Sequence, residues 1–132
     1  MNTNTNINMN IKAISIITLI MLIIDYFYLT FIGGSPFVKM VEKIQKKEVK
    51  INYTSALFVY LLLVIAMYKY VINDPSYYNA FILGSIIYGV FDFTNMALFR
   101  KYDSLIAIQD TIWGGTLFTM TKYLFNESKK LF

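Results

Sequence analysis

The sequence predicts an all-α protein: an integral membrane bundle of four transmembrane helices, with a short interfacial helix in the first loop. Three observations carry this. Of the 132 residues, 57% are hydrophobic and 15% charged, against roughly 25% charged in soluble domains. Four apolar stretches reach the ~20 residues needed to cross a bilayer: about 12–32, 52–72, 77–99 and 104–125. Turn-forming or charged residues separate them. A single membrane domain is therefore expected over 12–125. A polar, Asn-rich tail, expected to be disordered, precedes it over 1–11, and a short C-terminal tail follows over 126–132.

Each element has a local reason. The first stretch lacks a basic flank ahead of Lys12 and exceeds the length of a signal-peptide core, so it reads as a retained span. Gly33-Gly34-Ser35-Pro36 predicts its end, since Gly and Pro terminate helices. In the next segment Phe37, Met40, Val41 and Ile44 share one helical face, and Lys39, Lys43, Lys46, Lys47 and Lys50 take the remainder. That pattern suits a helix lying on lipid headgroups. The second span is uncharged until Lys69 and closes on the turn signal Asn73-Asp74-Pro75-Ser76. Arg100-Lys101-Tyr102-Asp103 makes a tight polar link between the third and fourth spans. Tyr53, Tyr68, Tyr70, Tyr77, Tyr78, Tyr102 and Tyr123 gather at segment ends, as in an interfacial aromatic belt.

Four spans place both termini on one side and loops one and three on the other. The latter side carries seven Lys and Arg residues against five, so the positive-inside rule puts loops one and three in the cytoplasm. The formal charge of +4 points to anionic lipid of the bilayer as the partner, with no nucleic acid expected.

The chain has no Cys and no His. Thiol nucleophiles, imidazole bases and Cys/His zinc or haem ligation are thereby excluded. Chemistry must come from carboxylates, hydroxyls, amides and aromatic or basic groups.

Those carboxylates stand where they cost most. Asp25, Asp92 and Asp110 interrupt the first, third and fourth spans, and a charge at bilayer depth costs ~2.5–3.5 kcal/mol on insertion scales. At a rise of ~1.5 Å per residue they lie ~11, ~12 and ~9 Å from the loop-one and loop-three ends of their helices. One polar layer in one leaflet is therefore expected. On the third span Gly84, Tyr88, Asp92, Asn95 and Phe99 share a face; on the fourth, Asp110, Trp113, Gly114, Leu117 and Thr121. On the first span the predicted face is Thr18, Leu22, Asp25 and Leu29, flanked by Tyr28. Gly84 and Gly114 would let two backbones approach closely. Thr94 and Thr111 lie beside these faces. The candidate binding residues are Asp25, Asp92, Thr94, Asn95, Asp110 and Trp113. Three close carboxylates cannot all stay ionised in a low dielectric, so the layer should take up protons or a hard cation such as Na⁺, Mg²⁺ or Ca²⁺. Arg100 or Lys101 is also placed to lean in and pair with one Asp.

These residues resemble a known pattern. Asp92-Phe93-Thr94-Asn95, then Arg100 and Tyr102, then Asp110-Thr111-Ile112-Trp113-Gly114 are similar to the paired signature of the membrane family catalogued as domain of unknown function 2177. Asp25-Tyr26-Phe27-Tyr28-Leu29 and Ala56-Leu57-Phe58 match its first and second segments, with Tyr28 in a Trp position. Lys101 and Asp103 stand where that family usually has Gly and Pro. The resemblance implies a four-helix integral membrane protein and brings no established activity.

Three functions compete: proton- or cation-linked binding or transport, lipid modification by an intramembrane enzyme, and a non-catalytic assembly or partner subunit whose polar layer only specifies helix packing. The loop-two half of the spans is apolar, which argues against an open pore in a monomer. Alternating access in so small a chain would call for a homo-dimer.

Overall fold

The computed structural model describes residues 3–131, with side chains from Asn10 onward. Helix α1 covers Thr3–Tyr28, α2 Gly34–Gln45, α3 Tyr53–Ala66, α4 Tyr77–Leu98 and α5 Ser104–Ser128. Two π-helical turns, Leu29–Gly33 and Met67–Val71, join α1 to α2 and extend α3. The described chain is all-helical. Three rods are long and apolar enough to cross a membrane: Asn10–Gln45, Tyr53–Val71 and Tyr77–Leu98. The fourth, α5, is 25 residues long and turns Thr121 and Lys122 inward. It buries Ala107, Gly114, Gly115, Leu117, Phe118, Thr121, Lys122 and Phe125, because it packs between α1 and α4.

α4 and α5 form the tightest pair. Their backbones touch at Gly84 and Gly114, where a Cβ on Gly84 would come within 2.2 Å of the Gly114 carbonyl oxygen. Small residues permit such approach between membrane helices, where packing contacts drive association. α3 lies against α1 and leaves Leu57, Phe58, Leu61, Leu62 and Ile65 exposed. The core joins Ile17, Met21 and Ile24 of α1 to Leu63, Val64, Met67 and Val71 of the second rod and to Leu117, Phe118 and Phe125 of α5. Asn10 accepts a hydrogen bond from Tyr68 (2.5 Å), and Asn126 donates to the Tyr77 hydroxyl (3.0 Å). The N-terminal end of α1 and the C-terminal end of α5 thus lie at the loop-two end.

Several expectations are corrected. Gly33-Gly34-Ser35-Pro36 does not end the first helix. The Gly34 N–H bonds to Leu29 O in a π register, and this widened turn accommodates Pro36, whose missing N–H and ring would disrupt an α-helical ladder. The buried face of α1 is Ile17, Met21, Ile24 and Tyr28, with Asp25 beside it. It is displaced from the predicted Thr18–Leu22–Asp25–Leu29 stripe, of which Leu22 and Leu29 are exposed. Of the tail expected over 1–11, residues 1–2 and the side chains of 3–9 lie outside the described residues; from Thr3 the backbone is helix continuous with the span, as propagation from an established helix allows. α5 likewise runs on to Ser128.

α2 keeps its amphipathic face. Met40 is buried, and Phe37 and Ile44 pack with it against Met96, Tyr102, Ile106 and Ala107, while Lys39, Lys43, Lys46, Lys47 and Lys50 are exposed. Tyr102 is buried, so it leaves the aromatic belt for the interior. Asp103 caps α5 through a 2.8 Å bond from Leu105 N, the duty of a good N-cap residue.

Lys122, one of the five basic residues counted on the side of the termini, is only 2% exposed. Its ammonium donates to the carbonyls of Val71 (2.8 Å), Ile72 (3.4 Å) and Asp74. These carbonyls lie at and just past a helix C-terminus, where a cation is favoured; Val71 O also accepts from Asp74 N at 3.2 Å. In the same turn Asp74 accepts from Ser76 N (2.7 Å) and Asn79 (3.3 Å), and Ser76 caps α4 through Asn79 N (3.0 Å).

Two outcomes are expected. Lys122→Met keeps the apolar stem but takes the ammonium donor from the Ile72 and Asp74 carbonyls, and should cost about 2 kcal/mol in an unfolding titration. The Ser76 backbone N–H, with help from Asn79 and Lys122, holds the Asp74 carboxyl below the usual carboxylate range. Its stabilisation is therefore complete above that range and lost as pH falls through its depressed value. Asp74→Asn should flatten the acid side of the stability profile, measured by thermal melting.

Candidate functional site: an intramembrane acid layer

Asp25, near the end of α1, is 7% exposed and held by two neutral donors. Trp113 Nε1 on α5 donates to Oδ1 at 3.0 Å, and the Tyr60 hydroxyl on α3 donates to Oδ2. The Trp113 indole stacks on Tyr28 with ring centroids 4.1 Å apart and planes 5° apart. Gly33 makes room for this stack, because a Cβ there would fall 2.4 Å from the Tyr28 ring. The glycine thought to end the helix instead seats an aromatic wall.

Asp92 on α4 is fully buried. Its Oδ1 accepts from Tyr102 at 2.6 Å, and its Oδ2 has no hydrogen-bond partner. The Asp110 carboxyl on α5 lies against Asp92 and within electrostatic reach of Asp25. Tyr28 stands within electrostatic reach of all three acids. The structure thus groups them as a pair plus a neighbour. Among the described residues no three acidic side chains converge tightly enough to hold a metal ion.

Asn95 is half-buried beside Tyr102, lining a hollow of about 380 Å³ between α2 and α4. Thr94 is exposed on the outer side of α4. Thr111 packs at Gly89 and bonds back to Ala107 O at 2.8 Å. Arg100 and Lys101 are exposed, and neither lean-in is seen: the side chain reaching Asp92 from that loop is Tyr102. Tyr60 was missed. Its signal was its mid-span position, away from the helix ends where belt tyrosines gather.

Asp110 also opens outward. It lies in a groove of about 250 Å³ between α3 and α4, whose walls are Val59, Leu63, Ile87, Tyr88 and Phe91. The arrangement offers a carboxyl pair able to share a proton, reached sideways through an apolar slot.

This fold and layer define a helical, multi-pass membrane protein with a buried acid centre. The chain belongs to the family described as Predicted membrane protein (DUF2177), which it matches over residues 10–125. No curated protein and no solved structure matches it.

Trp113→Phe retains the ring but removes the donor to Asp25. A hydrogen bond to a charged group contributes about 1.5–3 kcal/mol, and a loss of that size is expected on unfolding. In a double-mutant cycle with Asp25→Ala, the absence of coupling would contradict the assigned bond.

Proposed function

We propose that the Asp92–Asp110 pair is a proton-linked binding site of a multi-pass membrane protein, with Asp25 fixing the adjoining aromatic wall. One observation carries this reading: the half-buried Asp110 carboxyl lies against the fully buried Asp92, whose Oδ2 has no donor. A proton placed between them turns repulsion into an O–H···O bond and satisfies that oxygen. It is favoured over a hard cation because Asp25 is held apart by Trp113 and Tyr60, leaving two carboxyls where such ions take six or more oxygens.

The test is thermal melting of the purified protein across about pH 5 to 9, with and without Na⁺, Mg²⁺ or Ca²⁺. The parent's melting temperature should move with pH, and Asp92→Asn or Asp110→Asn should suppress that movement while leaving the bundle folded. A parent indifferent to pH and to all three ions would leave the layer as packing alone. A shift on adding an ion, without a pH response, would replace the proton by that cation.

The proposed orientation puts loops one and three in the cytoplasm, on the seven-to-five distribution of Lys and Arg. The chain has no Cys, so a single Lys46→Cys probe reports it directly. Labelling by an impermeant maleimide is expected in inside-out vesicles; labelling in right-side-out vesicles would reverse the topology.

A further inference from the structure

The groove gives the acid pair an opening onto lipid, and its chemistry narrows what enters. Building on the proton-linked reading, we infer that it binds a membrane-dissolved cationic amphiphile. A quaternary ammonium or protonated amine lies against Asp110, with its apolar body between α3 and α4. Val59, Leu63 and Ile87 supply apolar walls, and Tyr88 and Phe91 add aromatic surface beside the Asp110 carboxyl. An aromatic face next to a carboxylate is the pairing that recognises organic cations. The donors that reach the layer, Tyr60, Trp113 and Tyr102, are neutral, so the negative charge left when the pair loses its proton is complemented by a cation of the ligand. Asp92 Oδ2, buried without a donor next to Asp110, adds to that demand.

Depth separates this ligand from resident lipid. Asp110 lies six residues into α5, ~9 Å below the helix end, beneath the plane where a zwitterionic headgroup carries its ammonium. Entry is lateral, since two of the groove's own walls, Val59 on α3 and Phe91 on α4, are exposed. Proton and organic cation then compete for one carboxyl pair, which couples binding to pH.

The experiment uses the full chain in a nonionic detergent, with octyltrimethylammonium as probe and its uncharged carbon isostere, 2,2-dimethyldecane, as control. The single tryptophan, Trp113, stands in the acid layer and reports binding by fluorescence. Saturable binding of the probe is expected, weakening at least about tenfold as pH falls from about 8 to 5, a change of ~1.4 kcal/mol. Asp110→Asn should lose about tenfold or more at the higher pH. Val59→Phe, which fills the groove without altering charge, should also weaken the probe while retaining the parent's pH-dependent melting.

Equal affinity for the isostere would assign the groove to neutral lipid and overturn the inference. Parent-like affinity in both variants would place the probe elsewhere and do the same. A change of particle mass in Val59→Phe would mark the groove as a contact between two copies, again overturning it. A parent that binds no probe but still melts with pH would defeat the ligand class and leave the proton-linked site standing. One that does neither would defeat both.

Discussion

A carboxyl taken out of water must find donors or a proton, and the positions of Trp113, Tyr60 and Tyr102 follow from that requirement. Trp113 and Tyr60 serve Asp25 from two different helices, and Tyr102 folds inward from a turn to serve Asp92. These bonds tie α1 to α3 and α5, and the loop before α5 to α4. The α4–α5 glycine contact sets the pair's spacing: the approach at Gly84 and Gly114 brings those helices together with Asp92 and Asp110 on facing surfaces. A side chain at either glycine would separate the acids as well as the helices.

Two π turns show how backbone irregularity supports side-chain placement. At Leu29–Gly33 the closing Gly33 leaves room for Tyr28, which stacks on the tryptophan that holds Asp25. At Met67–Val71 the turn precedes a cluster of carbonyls that Lys122 gathers from α5. Asn10, Tyr68, Tyr77 and Asn126 add polar contacts at that same end. The acid layer sits toward the opposite end, so polar clusters bracket an apolar core.

Within single helices the sequence was a good guide. Gly84, Tyr88, Asp92 and Asn95 turn inward as their spacing requires, while Phe99, placed on the same face, is exposed; the three acids expected together lie within electrostatic reach of one side chain, Tyr28. Relations between helices were not legible. Nothing in the second span says that Tyr60 meets Asp25, because helical periodicity orders residues within a helix and carries no pairing between helices. Lys122 counts as a charge on the side of the termini, since lysines near helix ends ordinarily extend to water. Here the carbonyls at the neighbouring helix terminus hold it inside. Pro36 read as a terminator because the rule assumes an α register, which the π turn alters.

The central claim is that Asp92 and Asp110 share a proton within the membrane. Infrared spectroscopy of the protein in lipid at neutral pH tests it most directly, since a protonated carboxyl has a C=O stretch distinct from the two bands of a carboxylate. The account predicts a protonated-carboxyl band that shifts on exchange into deuterium oxide, disappears in both Asp92→Asn and Asp110→Asn, and persists in Asp25→Asn. A spectrum with carboxylate bands alone, or a protonated band that only Asp25→Asn removes, would contradict it.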